Sequence, residues 1–381
     1  MSDVSVKIEP KVIIGNDTVN RLASLAGEYG NRVLLVTEQA LYDNRQIERV
    51  QKILDDSGLE TLVFDEVPAH ATAEVADVLA ELARGARCDV IVAYGGLKTQ
   101  SVARLAAMLV SGSSYLFDIL DGKEQTDPAL PLIAVPTTGR EPFLFSDYFV
   151  AVDPRDRSIR FIKARQAQCK AVIIDPVLSE TLSTKFAATT LFDGLCVSIE
   201  AYCSTRSNFL SDAILERAIS LYGQSLDTFA SQHSLDLLEK STHAGFLGSL
   251  GASMSAPGIG TALSYAINAR YPVAKSWCST VLLPYVMEEL MPARPEKMAL
   301  VASLLREDVE GAGVSAAAEI AIQAVRRRMG ILEVPARLKD FSLDLDKLVS
   351  LSENARSLDF VAYSPRPVSN DDAFNLLKQA F

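Results

Sequence analysis

The sequence predicts two architectures in one chain: an α/β domain with a doubly wound, mainly parallel sheet, then an all-helical domain. Three observations carry this expectation. Short β-rich runs alternate with helical patterns through the first half, the rhythm of strand–helix–strand crossovers. After about residue 180 the alternation stops, and nearly every apolar run has helical spacing. The length of 381 residues exceeds what one ordinary core organises. The change of rhythm places the domains at 1–180 and 181–381.

Taken in order, "RVLLVTE" (32–38) is a β-rich run, and "QIERVQKILDDSG" (46–58) has helical spacing and a terminating glycine. "ETLVFDEV" is a second strand, "AEVADVLAELARGA" a helix, and "CDVIVAYGG" a third strand ending in glycines. "TQSVARLAAMLVSG" is then a helix, "LPLIAVPTT" a strand, and "KAVIIDPVLSE" (170–180) the last strand of the region. Beyond it, "SETLSTKFAATTLFDGLCVSIEAYCST", "SDAILERAISLYGQSLDTFASQ", "AAAEIAIQAVRRRMGI" and "DDAFNLLKQAF" all have the helical period. A cleft between two such domains is the default place for a small-molecule substrate.

Composition narrows the function. Apolar residues make up 49% and charged residues 22%, the balance of a globular protein. A net charge of −11 argues against nucleic acid or an anionic membrane as the main partner. The opening "MSDVSVKIEPKVIIG" has no basic region followed by an apolar run, so no signal peptide is expected. No apolar stretch approaches the roughly 18 residues of a membrane span. The five cysteines lack any CxxC spacing and read as reduced, mostly buried thiols of a cytoplasmic protein. There are three histidines: His70 in a first-domain loop, His233 in a polar stretch between helices, and His243 near a helix start. Each reads as a surface or capping residue rather than a ligand.

In "DVIVAYGGLKTQSVARLAAM", Gly95 and Gly96 stand between a strand and a helix. Such glycines let backbone approach a phosphate while the helix N-terminus offers free N–H groups. A tight turn with no ligand explains them equally well. The ordered series "IIGNDTVNRLASLAGEYG…RVLLVTE…DVIVAYGG…IAVPTT…IIDP…FDGLCVSIEAY…LLPYVM", with "SPRPVSNDDAFNLLKQAF" at the end, resembles the iron-containing (group III) alcohol dehydrogenase family of the dehydroquinate-synthase-like superfamily. The resemblance implies a first domain that binds a nicotinamide dinucleotide, a helical second domain, and a homodimer. It implies that Gly95 and Gly96 face the pyrophosphate and that Thr137 and Thr138 approach the nucleotide. Glu38 of "VTE" accepts from the adenosine ribose on this reading, which favours NAD(H) over NADP(H); as a bare residue it is equally a solvated strand-end acid. The chain also departs from the family. The usual Gly-Gly-Gly-Ser is "GGLK", and the Asp and Lys of the next helix are Ser101 and Arg104. Lys98 and Arg104 are therefore candidates to bind phosphate or another anion. "GREPFLFSDYF" replaces a glycine-rich stretch, and its "FLFSDYFV" suggests either aromatic lining near the cleft or a buried β-hairpin.

The resemblance also implies a metal held by one Asp and three His. In "DGLCVSIEAY" Asp193 remains, but Val197 stands where the first histidine falls four residues later. In "GIGTALSYAINARYPVAKS" (258–276) the other two metal histidines match Thr261 and Lys275, and a further histidine near the nicotinamide matches Tyr265. A carboxylate, a valine, a threonine and an ammonium do not make a site for Fe²⁺ or Zn²⁺, so no metal is expected. An Asp193–Lys275 pair is the natural compensation for both charges. It either fills an abandoned cavity or performs the metal's electrostatic role, with Tyr265 as proton donor. Use of Lys275 as a Schiff-base nucleophile ranks last, because Asp193 favours its charged form. The leading expectation is a metal-independent NAD(H)-dependent oxidoreductase acting on a small carbonyl or alcohol. A non-redox lyase, isomerase or cyclase, or a non-catalytic relative, is the alternative.

Overall fold

The computed structural model describes residues 4, 6–43, 45–112, 114–164, 169–229 and 234–381. The chain divides into two compact units, one of Lys7–Thr181 and one with Leu182–Phe381 as its body. The first contains strands β1 (Lys11–Ile14), β2 (Arg32–Val36), β3 (Glu60–Phe64), β4 (Val90–Gly95), β5 (Leu132–Pro136), β6 (Tyr148–Val152), β7 (Ile159–Lys163) and β8 (Cys169–Ile174). Its helices are α1 (Leu22–Gly27), α2 (Gln39–Asp43), α3 (Gln46–Asp55), α4 (Glu74–Ala86), α5 (Leu97–Ser111) and α6 (Leu116–Leu120).

Six strands form one parallel sheet in the order β1-β8-β5-β4-β2-β3. From β2 the chain winds outward to β3, then returns across β2 to β4 and winds the other way through β5 and β8. The direction reverses between β2 and β4, and ligands of open α/β sheets bind outside the strand carboxyl ends at such a switch point. The central strands are buried on both faces, which is why they read as continuous apolar runs. On one face Leu35, Val92, Ile133 and Ile173 pack in a core with Leu22, Ile47, Val50 and Leu54 from α1 and α3.

Three expected elements change. The strand expected over 170–180 stops at Ile174, because the Asp175 carboxylate accepts from the N–H of Val177 and caps a 3₁₀ turn. The helix after the glycines begins two residues early, at Leu97. The aromatic "FLFSDYFV" leads into an antiparallel pair, β6 with β7, where Tyr148 stacks on Phe161 with ring centroids 4.8 Å apart. Of its two sequence readings, the hairpin is the one observed.

The second unit contains α7 (Thr184–Cys203), α8 (Phe209–Phe229), α9 (Leu235–Met254), α10 (Ile259–Arg270), α11 (Lys275–Leu290), α12 (Pro295–Leu304), α13 (Val314–Ile331), α14 (Leu348–Arg356) and α15 (Asn370–Ala380). The last begins with a capping box, Ser369 with Asp372. Helix α7 is buried on all sides, as a central helix must be. Two bonds register it against α11: Thr189 Oγ1 donates to Ser276 Oγ (3.1 Å), and Thr280 Oγ1 to the Thr189 carbonyl (3.4 Å). His243 lies in the interior of α9, exposed, rather than near its start. His233 falls outside the described residues. All five cysteines are buried free thiols, and among the described residues no helix is long and apolar enough to cross a membrane.

Candidate functional site

In the α/β unit, the residues singled out for a nucleotide come off three neighbouring strands. Glu38 follows β2, Gly95 and Gly96 end β4, and Thr137 and Thr138 follow β5. Gly95 pairs with Pro136 across the ladder, and its carbonyl accepts from the N–H of Thr137 at 3.3 Å. A Cβ built on Gly96 would meet Thr138 at 3.5 Å and the Glu38 carboxylate at 3.6 Å, so these three residues share one spot.

The two glycines do different work. A Cβ on Gly95 would come within 2.6 Å of Thr99 Oγ1, so this glycine is kept for close packing of α5 on its own strand. Gly96 has room for a side chain, and its N–H is engaged within the chain. The Glu38 carboxylate accepts from that N–H at 3.2 Å. Burial raises the Glu38 carboxyl above its ordinary range, opposed by the Gly96 bond and by the charge of Arg140. Arg140, which sequence reasoning passed over inside "GREP", is thus part of this spot. Only its cationic character signalled it.

Of the two cations expected to bind an anion, Arg104 does not. Its guanidinium is buried, donates to the carbonyls of Phe143 (2.9 Å) and Ser146 (2.8 Å), and lies 5.0 Å over the Phe149 ring. Ser101 on the same helix donates to the carbonyl of Val150. The unusual helix residues and the unusual segment after "PTT" are therefore one packing unit. Lys98 remains a candidate: it is half-buried near the start of α5, and among the described residues it makes no hydrogen bond or ion pair.

In the helical unit, Tyr265, Lys275 and Asp193 come together. Asp193 projects from the middle of α7 and Lys275 from the first turn of α11, and the ammonium donates to the carboxylate with both side chains 1% exposed. Lys275 Nζ also lies 4.8 Å from the centroid of the buried Tyr265 ring. A chain of hydroxyls runs away from the lysine: Nζ donates to Ser279 Oγ (3.4 Å), Ser279 to Ser264 (2.9 Å), and Ser264 to the Gly260 carbonyl (2.7 Å). Burial pushes the neighbouring Cys196 and Cys278 thiols well up, so they stay protonated and unreactive.

Thr261 does not join this cluster. Its hydroxyl donates to Glu200 Oε2 at 2.5 Å, and the same carboxylate accepts from the N–H groups of Gly260 (2.6 Å) and Thr261 (3.1 Å). Glu200 is thus a buried anion at the N-terminus of α10, where the helix dipole favours it. Burial raises its carboxyl, opposed first by the Thr261 hydroxyl. Sequence reasoning missed Glu200, although "DGLCVSIE" places it seven residues after Asp193 on the same helix face.

The donor set around Asp193 does not fit iron. It holds a carboxylate already engaged by an ammonium, hydroxyls, and the Cys196 and Cys278 thiols that burial keeps protonated. Among the described residues no group of three or more His, Cys, Asp or Glu is disposed to hold a metal. The strand-end site does fit a dinucleotide: the 15-residue α5 carries no side-chain cap at its N-terminus, and hydroxyls and an acid stand beside it.

A parallel nucleotide-type sheet joined to a bundle of helices is the plan of one class of alcohol-dehydrogenase-like proteins. Comparison with known proteins makes that assignment specific. The iron-containing alcohol dehydrogenase model matches residues 9–176, and the model of that family's C-terminal region matches 187–381. The chain belongs to the iron-containing alcohol dehydrogenase family. It is 26% identical to the 1,3-propanediol dehydrogenase of Citrobacter freundii, over 92% of each chain. It is 23% identical to the NAD-dependent methanol dehydrogenase of Bacillus methanolicus, over 98% of each. The crystal structure of sulfoacetaldehyde reductase from Bifidobacterium kashiwanohense in complex with NAD⁺ shares the fold, with a TM-score of 0.84 over 100% of this chain and 99% of that one at 19% identity.

Proposed function

We propose that this protein is an NAD(H)-dependent oxidoreductase of a small carbonyl or alcohol in which Lys275, held by Asp193, takes the charge-stabilising role that a divalent metal has elsewhere in the family. The observation that carries the reading is the buried Asp193–Lys275 pair against the Tyr265 ring. It puts a fixed positive charge and a phenol side by side on a rigid helical frame. Family membership and the NAD named for two relatives support the redox part.

When bound, the dinucleotide supplies or accepts the hydride. The turn at Gly95 and Gly96, with Thr137 and Thr138, would hold its phosphates and sugars, and Glu38 would accept from ribose hydroxyls and disfavour a 2′-phosphate. Lys275 stabilises negative charge developing on the substrate oxygen, and Asp193 fixes the direction of the ammonium. Tyr265 donates the proton that completes the alcohol, or takes it in the reverse direction. The assembly we expect is a homodimer in the cytoplasm.

The near-complete burial of both pair members favours a second role for the pair alone: a structural ion pair in the space of a metal site, with other groups carrying the redox chemistry. One experiment separates these roles. Protein treated with a chelator is titrated with NADH and NADPH, then assayed against short aldehydes. The expected result is tighter binding of NADH, activity indifferent to the chelator, and a loss of about 10²–10³-fold in Lys275→Met that remains folded by circular dichroism. Activity that returns only on adding Fe²⁺ or Zn²⁺ would overturn the lysine-for-metal reading. Full activity in a folded Lys275→Met would assign the pair to structure.

A further inference from the structure

A pocket opens within the helical unit where the second half of α7, the start of α10, the end of α11 and the first half of α15 meet the segment 363–368. It holds about 510 Å³ counting its open mouth, within the range of small-molecule sites. Pro257, Ile259, Val286, Leu290, Val368 and Leu376 make it largely apolar. It is separate from the Asp193–Lys275 pair. Along α7 its Glu200 lies a rise of about 10 Å from Asp193, and along α11 its Val286 lies about 16 Å from Lys275.

The wall formed by 363–368 is anchored from several sides, so the pocket is preformed. The Tyr363 carbonyl accepts from Ser204 Oγ (3.0 Å) and from the N–H of Thr205 (2.8 Å), just beyond α7. The Val368 carbonyl accepts from Arg356 Nε at 3.3 Å, at the end of α14. Arg366 donates to Glu289 of α11 and, at 3.4 Å, to Asp372 of α15. One polar atom of this wall is left over. Ser364 Oγ is buried and has no hydrogen-bond partner among the described residues. A hydroxyl in that state has given up its bonds to water without replacing them.

The charges select what can enter. The lining has three acids, Glu200, Glu289 and Asp372, against one base, Arg366. Glu200 is met by the N–H groups at the start of α10. Glu289 and Asp372 have the one guanidinium between them, and both are half-buried, as groups at the mouth are. A carboxylate or phosphate would therefore meet acids and a base already shared. A neutral alcohol could use the Ser364 hydroxyl alone. An ammonium brings three donors and a positive charge, which suits the hydroxyl and the acids together.

We propose that this pocket binds a short aliphatic ammonium, with its chain among the apolar side chains and its head at the Ser364 hydroxyl and the carboxylates of the mouth. The pocket lies wholly in the helical unit, so its occupant does not depend on any redox activity.

The test uses the full chain at pH 7 with hexylammonium, hexanol and hexanoate, probes of one chain length and three charges, followed by ligand-observed NMR and calorimetry. Hexylammonium is expected to bind at least about 10-fold more tightly than hexanol, and hexanoate more weakly than either. Val368→Trp, which fills the mouth from a half-buried position, should weaken both hexylammonium and hexanol about 10-fold or more. Glu289→Gln should lower the preference for hexylammonium over hexanol about 3–10-fold and leave hexanol binding unchanged. Because Arg366 keeps Asp372 as a partner in that variant, it decides the matter if Val368→Trp does not fold. No binding of hexylammonium at millimolar concentration overturns the proposal. So does hexanol or hexanoate binding as tightly as hexylammonium, or either folded variant binding hexylammonium as the wild type does.

Discussion

In the helical unit Asp193 and Lys275 face each other out of solvent, and Glu200 is bonded by two N–H groups and a hydroxyl. In the α/β unit Lys98 sits half-buried beside other bases, with no acid turned toward it among the described residues. Burial of a charge is costly unless something compensates it. Where the partner is internal, the arrangement is complete and needs nothing added. Where it is missing, the folded chain carries an unfavourable field that a ligand can relieve. This difference, rather than the identity of the residues alone, separates a charge that is compensated within the fold from one that is left open.

The most severe way to break that contrast is to remove one member of the buried pair. Lys275→Met strands the Asp193 carboxylate and is expected to cost about 3–5 kcal/mol in guanidinium denaturation. The double change Asp193→Leu with Lys275→Met removes both charges and should return to within about 2 kcal/mol of wild type. A single variant as stable as wild type would show that Asp193 finds another partner, and that the pair is no closed unit.

The pair itself is legible in the amino-acid sequence. The resemblance implies one acid kept where a lysine matches a ligand position, and neither tolerates burial alone. The sheet is legible for a related reason: strands covered on both faces are apolar without interruption, so β4 and β5 announce themselves. Thr261 shows the limit. Its position four residues before Tyr265 puts it on the same α10 face, yet its hydroxyl is claimed by Glu200, a competition between side chains of different helices that spacing cannot rank. Arg104 fails as an anion ligand for the same reason, since the carbonyls that take its guanidinium lie on a segment about forty residues away. Local periodicity reports which face a residue occupies. It does not report which neighbour across the interface takes its polar end.

The glycines offer a milder break. Gly95→Ala would drive a methyl group within 2.6–3.0 Å of the Thr99 side chain, an overpacking that should cost about 1–3 kcal/mol in the same denaturation assay. A neutral result would mean that α5 can slide on β4, and the packing account of this glycine would be lost.

A smaller effect sharpens the account of Lys98. Its folded value of about 8 lies below the 10.5 of an ordinary lysine, so between those values the unfolded chain holds more protons. Stability should therefore rise with pH across that window, and Lys98→Met should remove the rise. The variant is expected to be the more stable at pH 7, with the two proteins converging above pH 10.5. Denaturation midpoints from pH 7 to 11 measure all of this. A slope shared by wild type and Lys98→Met would place its origin elsewhere.

The smallest expected effect on stability decides most about the ligand. Gly96 has φ −80°, an ordinary value for any residue, and a Cβ there would make only van der Waals contacts with Thr138 and Glu38. Gly96→Ala should therefore move stability by no more than about 0.5 kcal/mol. If the dinucleotide's phosphate approaches this backbone, the added methyl stands in its way, and NADH affinity should fall about 10-fold or more without loss of fold. Unchanged stability with weakened NADH would mean that Gly96 is kept for a ligand and Gly95 for the helix. Unchanged stability with unchanged NADH would mean that the phosphates keep clear of the glycine turn, whose Gly96 N–H the Glu38 carboxylate already occupies.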